Sequence, residues 1–207
     1  MKLHDVSILI SEDMPIWPND PVISMELTNS ISLGDSANVT RLNMGVHTGT
    51  HIDAPFHFEP NGATIDKLPL EVLIGPCRVF EIPESNEAID LVDLEKLNFE
   101  HHIRVLFKTR NSNWWKNGET MFHKDFVYMH QEAARFLIDR GIKLVGIDYL
   151  SIEKFESPDH ATHHLLLQNE VVIIEGLNLS GISSGDYELI ALPPKLKGAD
   201  KAPARVV

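Results

Sequence analysis

Short apolar runs broken by proline and glycine fill the first 88 positions of this chain, and helical spacing enters after them. Val6, Ile8 and Ile10 fall at every second position, which predicts a first strand over positions 3–10. A loop follows at 11–21, punctuated by Pro15, Pro18 and Pro21. Strands are predicted at 22–27 and 37–46, the second leading into a run of histidines. Positions 58–66 turn on Pro60-Asn61-Gly62. Strands at 76–82 and 103–108 flank a short helix at 89–97, where Leu91, Leu94 and Leu97 share a face. Positions 110–123 carry no period. A helix at 130–140, closed by Gly141, feeds a strand at 143–149, and this β–α–β unit calls for parallel strands. Ser157-Pro158-Asp159 predicts another helix start with Asp159 as N-cap. Strands at 171–174 and 186–192 precede an extended tail over 195–207. The fold class is α/β, a mixed sheet backed by helices.

At 207 residues the chain makes one domain over 1–207, with a substantial core and no need of disulfides. A formal charge of −12 argues against nucleic acid or an anionic membrane surface as partner. One cysteine, Cys77, excludes an intrachain disulfide and a cysteine-rich zinc site. It opens an apolar run and reads as a buried thiol. The first ten residues lack the apolar core of a secretory leader, and no run reaches a membrane span. The expectation is a cytoplasmic protein acting on a small molecule.

Candidate chemistry concentrates at His47-Thr48-Gly49-Thr50-His51-Ile52-Asp53-Ala54-Pro55-Phe56-His57, three histidines and an aspartate within eleven residues. Zinc, manganese and iron prefer such nitrogen and oxygen donors. Glycine, threonines and proline oppose a regular helix, so the run forms an irregular turn that aims several side chains at one centre. His47, His51 and Asp53 make three ligands, which leaves a position open for water, the mark of a catalytic site. His57, beyond Pro55, stands beside the metal. Glu175 ends an apolar strand, where a carboxylate must be paired or bind a cation. His160, His163 and His164 fall on one helical face. Trp17, between prolines, and the Trp114-Trp115 pair could line a pocket for a planar substrate. The latter pair could equally form a dimer contact.

His47-x-Gly49-Thr50-His51-x-Asp53-Ala54-Pro55-x-His57-Phe58 resembles the signature of the metal-dependent cyclase-like hydrolases, the family of the bacterial arylformamidases. The resemblance extends to Gly146-Ile147-Asp148 and to the tail Ala199-Asp200-Lys201-Ala202-Pro203-Ala204-Arg205. It implies a swivelling β/β/α domain assembled as a homodimer or homotetramer. It also implies a binuclear centre completed by a helix histidine and a glutamate twelve residues later. His163 and Glu175 have that spacing; the residues by themselves leave His160 and His164 open. Two divalent ions, zinc first and manganese second, follow from the same resemblance. So does hydrolysis of a non-peptide amide, such as N-formylkynurenine, by attack of hydroxide with His57 as proton shuttle and Trp17 near the active site. The run Asp148-Tyr149-Leu150-Ser151-Ile152-Glu153 departs from that of the formamidases and bears on the substrate. The rivals are a hydrolase of a cyclic amide or lactone like the isatin hydrolases, a metal binder without catalysis, and a polyketide-type cyclase.

Overall fold

In the computed structural model, which describes residues 2–207, strands β1 (Ser24–Asn29) and β2 (Val39–Asn43) pair antiparallel as a projecting hairpin. An eight-stranded sheet carries the rest. Its strands in chain order are β3 (His51–Asp53), β4 (Ile74–Glu81), β6 (Arg104–Lys108), β8 (Leu144–Ile147), β9 (Val172–Glu175), β10 (Gly185–Leu192), β11 (Lys201–Pro203) and β12 (Arg205–Val206). A second small pair, β5 (Ala88–Ile89) and β7 (Tyr128–Met129), stands apart. The spatial order is β11-β3-β9-β8-β6-β4-β10-β12. β4, β6, β8 and β9 run parallel at the centre, and the flanking strands pair antiparallel.

The central strands read as near-continuous apolar runs because both of their faces are covered. Val105, Leu106, Phe107, Leu144, Val145, Ile147, Val172, Ile173 and Ile174 are all buried. The one-turn helix α1 (Leu70–Leu73) leads into β4, and one face of the sheet packs on α4 (Gln131–Asp139) and α5 (Ala161–Gln168), through Ala133, Ala134, Leu137, Leu166 and Leu167. The other is closed by Val6, Leu177, Leu189 and Val206. Gly141 ends α4 with φ +77°, the left-handed conformation of a helix C-terminus. The expected mixed α/β sheet is therefore present.

Four local expectations are corrected. Positions 3–10 form a single bridge, Ser7 to Leu177, instead of a strand. The segment is stitched to three separate places: Val6 N–H donates to Val206, Ile8 N–H to Thr50 Oγ1, and the Val6 carbonyl accepts from Asn178. The helix expected at 89–97 shrinks to α2 (Leu91–Leu94), because Asp90 and Asp93 close a capping box there while Ala88 and Ile89 join β7. Asp159 is not the cap of α5: the chain enters through His160 in a left-handed conformation, φ +47°. The irregular 110–123 segment contains α3 (Ser112–Lys116). Its turn hangs on Asp148, which accepts hydrogen bonds from Thr109 and Ser112, backbone and hydroxyl alike.

Candidate metal centre

Strand register assembles the centre. Residues two apart on a strand share a face, and directly opposed residues of an antiparallel pair stand side by side. His51 and Asp53 are two apart on β3. His51 lies opposite Glu175 of β9, and Asp53 lies opposite Lys201 of β11. Four polar side chains from three strands thus share one patch, and all are at most 1% exposed. His47 arrives from the turn ahead of β3, its ring 4.2 Å from that of His51.

One ligand atom from each of His47, His51, Asp53 and Glu175 lies within 4.8 Å of the others. His51 Nε2 is 3.0 Å from Glu175 Oε2 and 3.5 Å from Asp53 Oδ1, and His47 Nε2 is 3.7 Å from Glu175 Oε2. His51 Nδ1 donates to the Gly49 carbonyl at 2.8 Å, which turns Nε2 towards the carboxylates as the nitrogen that would ligate a cation. These residues fit a divalent cation on a specific ground. Both oxygens of Asp53 are buried with no hydrogen-bond partner, and a carboxylate left so short of donors in the interior is costly. Burial first, and the neighbouring charge of Glu175 second, hold Asp53 well above the ordinary carboxylate range. Burial also raises Glu175, but hydrogen bonds from His163 and His51 outweigh it and draw that carboxyl down to about 2.

Of the three helix histidines, the fold brings only His163 to the centre. Its Nε2 is 3.2 Å from Glu175 Oε1 and 3.7 Å from Asp53 Oδ2. Its Nδ1 is 3.4 Å from Glu153, and Phe58 stacks on its ring at 4.8 Å. Burial lowers His163, yet Glu153 and Glu175 prevail and raise it to about 10. His164 turns away to Glu59, and His160 is exposed.

His57 closes a 3₁₀ turn, Pro55–His57, outside the four-residue cluster. Its Nδ1 is 3.3 Å from Asp200 Oδ2, and its ring centroid is 5.8 Å from that of His47 and 6.0 Å from that of His163. Burial, then the charge of His163, lower its pKa to about 4. A cleft of about 460 Å³ opens over His47, His57 and His163. Trp17 is among its walls, held edge-on by Phe122 and Phe155. Trp114 and Trp115 are not. Trp114 stacks on His123 at 4.1 Å, and Trp115 donates from Nε1 to the Asp148 carbonyl. Cys77 is buried, which pushes its thiol up to about 12.

Four charged neighbours were not legible beforehand: Glu153 beside His163, Asp20 at 3.6 Å from His47 Nδ1, Asp200 beside His57, and Lys201 with Nζ 3.1 Å from Asp53 Oδ1. Burial drives the Lys201 amine well below its ordinary value, against the pull of Asp20. A lysine in an extended tail gives no signal of burial. Only the register of β11 on β3 reveals it.

Comparison with known proteins agrees with this geometry. Residues 4–154 match a family model, Cyclase, described as "Putative cyclase". The kynurenine formamidase of Bacillus thuringiensis subsp. konkukian is 37% identical over 204 residues, 98% of this chain and 95% of its own. A solved structure described as a potential metal-dependent hydrolase with cyclase activity superposes with a TM-score of 0.84 at 41% identity, covering 99% of this chain and 96% of that one. Isatin hydrolase A of Labrenzia aggregata, bound to benzyl benzoate, gives a TM-score of 0.82 at 25% identity, with 98% and 91% covered.

Proposed function

The chain belongs to the cyclase family of metal-dependent hydrolases, and on that premise we propose that it hydrolyses an arylformamide such as N-formylkynurenine. The observation that carries this reading is the placement of His57 beside the His47–His51–Asp53–Glu175 cluster, at the floor of a cleft walled by Trp17. These four residues would hold a divalent cation, zinc by the chemistry of a two-histidine, two-carboxylate set. Such a cation supplies Lewis acidity, which polarises a carbonyl and makes water acidic enough to attack near neutral pH.

The protein's own groups do the rest. Asp200 takes the Nδ1 proton of His57 as its hydrogen-bond partner and so leaves Nε2 as the base. His57 accepts a proton from water as it adds to the formyl carbon. It then returns that proton to the departing aryl nitrogen, giving formate and an aromatic amine. Trp17 offers an apolar face to the aryl ring. Lys154 and Glu156 stand exposed at the rim with the opposite charges that an amino-acid end would meet.

The test is hydrolysis of N-formylkynurenine, isatin and simple lactones by protein loaded with zinc or with manganese, beside His51→Ala as the metal-poor control. Turnover of the formamide lost in His51→Ala supports the reading. Faster turnover of isatin or a lactone replaces it with the cyclic-substrate activity. The assembly belongs to the same proposal. The β1–β2 hairpin exposes Met25, Leu27, Val39 and Leu42, each more than 40% accessible, and a second copy of the chain would cover them. Light scattering should return at least twice 23.3 kDa, and Leu27→Asp should lower it to the monomer mass.

A further inference from the structure

Between β8 and α5 the chain runs along the cleft, and Ser151, Glu153, Lys154, Glu156 and His160 all line it. Two of these residues hold a backbone unusual for their place. Glu156 has φ +56° and His160 has φ +47°. Glu156 is the third residue of a tight turn, closed by the Ser157 N–H that donates to the Lys154 carbonyl at 3.1 Å. A positive φ there calls for glycine or asparagine, because a longer side chain crowds the backbone. His160 stands where α5 begins. Serine, threonine, aspartate or asparagine fills such a place in extended backbone, with the side chain capping the helix. His160 is left-handed instead, and its side chain makes no capping hydrogen bond.

Nothing inside the chain uses these two side chains. Both residues are exposed. Among the described residues, neither oxygen of the Glu156 carboxylate and neither ring nitrogen of His160 has a hydrogen-bond or ion-pair partner. The next two histidines differ: His163 is held by Glu153 and Glu175, and His164 by Glu59. The segment is nevertheless firmly placed. Phe155, inside the turn, packs on Trp17 at 5.4 Å and on Phe122 at 5.2 Å. The His160 ring lies 5.3 Å from that of Phe58. Strained backbone persists where its surroundings impose it, and it gathers at ligand-binding sites. Here it sets two unpartnered polar side chains on the cleft that also holds His47, His57 and His163.

We propose that Glu156 and His160 are the specificity-determining pair of this cleft, and that they bind the α-amino-acid tail of an arylformamide. The Glu156 carboxylate takes the ammonium, and a ring N–H of His160 takes the carboxylate. A carboxylate accepts hydrogen bonds, and an imidazole always keeps at least one N–H, so the two supply both kinds of partner that a zwitterion needs. Lys154, from the same turn, adds a cation to the same wall. Trp17 is left to the aryl ring. This rests on the arylformamide reading above and adds to it the residues that choose among arylformamides.

The experiment compares kcat/KM for N-formylkynurenine, which carries the tail, with that for formanilide, which has none. It uses zinc-loaded wild type, Glu156→Gly and His160→Gly. Glycine suits a positive φ, so both variants should fold and melt no lower than wild type. In each, the ratio of the two kcat/KM values should fall about tenfold, the worth of one hydrogen bond to a charged group. The fall should come through a higher KM for N-formylkynurenine. An unchanged ratio in either folded variant would overturn the pair, whether or not the rates themselves drop. Should one variant fail to fold, the other decides by the same ratio. Wild type that hydrolyses both formamides at equal kcat/KM would overturn the pair alone. Wild type that hydrolyses neither would overturn the arylformamide reading itself, and the role of Glu156 and His160 with it.

Discussion

Replacing His57 with alanine separates a proton carrier from a ligand. The ring is 24% exposed and makes one polar contact, to Asp200 at 3.3 Å, with an edge-on packing against Phe58 at 4.3 Å. Truncation there removes a partly exposed group and leaves no buried charge unpaired, so the fold should lose only about 1 kcal/mol. For a chain of this length that lowers the melting temperature by about 2–4 °C. The metal should stay, because no atom of His57 belongs to the four-residue cluster. The rate is another matter. A positioned acid–base group contributes about 10²–10⁴-fold, or roughly 2.7–5.4 kcal/mol of barrier. The pH dependence has a fixed sign. Burial and the charge of His163 hold His57 at about 4, and a bound cation pushes the same way, so the base is neutral and competent through the neutral range. Its protonation should cut kcat/KM only as pH falls towards that value, and the alanine variant should lose that limb. The assay is kcat and kcat/KM on an arylformamide against pH, with metal content from the same preparation. Unchanged kcat with metal retained would show that protons move elsewhere. Loss of the metal would make His57 a ligand.

Two other perturbations test the scaffold of the centre. Stripping the metal with a chelator leaves the Asp53 oxygens without partners; an ion present at a thousandfold over its Kd stabilises by about 4 kcal/mol. The melting temperature should therefore fall by about 8–16 °C on chelation, and an unchanged melting curve would contradict the site. Gly176→Ala places a Cβ 2.5 Å from the Gly49 carbonyl oxygen at φ +70°. The crowding costs about 1–3 kcal/mol and the left-handed backbone about 1–2 more. Because Gly176 follows Glu175 and Gly49 supports His51, affinity for a divalent metal should fall with the urea midpoint. A variant with both intact would show that this close approach does not hold the ligands.

How much of this could be read from the chain follows from the range of each interaction. The His47–His57 run was legible because its candidate donors are neighbours in sequence, and donor type alone marks them. The central strands were legible because burial on both faces leaves apolar runs such as Val172-Ile173-Ile174. Positions 3–10 misled because alternation signals one covered face, and a segment stitched to Val206, Thr50 and Asn178 has that without a neighbouring strand. Glu175 stood out as a carboxylate ending an apolar strand, whereas His163 was reached through family resemblance; the spacing of His160, His163 and His164 on a helix could not choose among them. The structure chooses by starting α5 at Ala161, so that His160 falls outside the helix and His163 faces the sheet.

Lys201 shows where sequence reasoning stops. Its pairing with Asp53 joins residues 148 positions apart, and side chains alternate along a strand. A slip of one residue between β11 and β3 would set Ala202 opposite Asp53 and turn the ammonium to the other face. Nothing local in Asp200-Lys201-Ala202-Pro203 fixes that register. It is fixed by Ala202 opposite Ile52 in the apolar layer, both 0% exposed, and by the Ala54 N–H that donates to the Asp200 carbonyl. An apolar contact on one face of the strand thus decides which side chain meets Asp53 on the other.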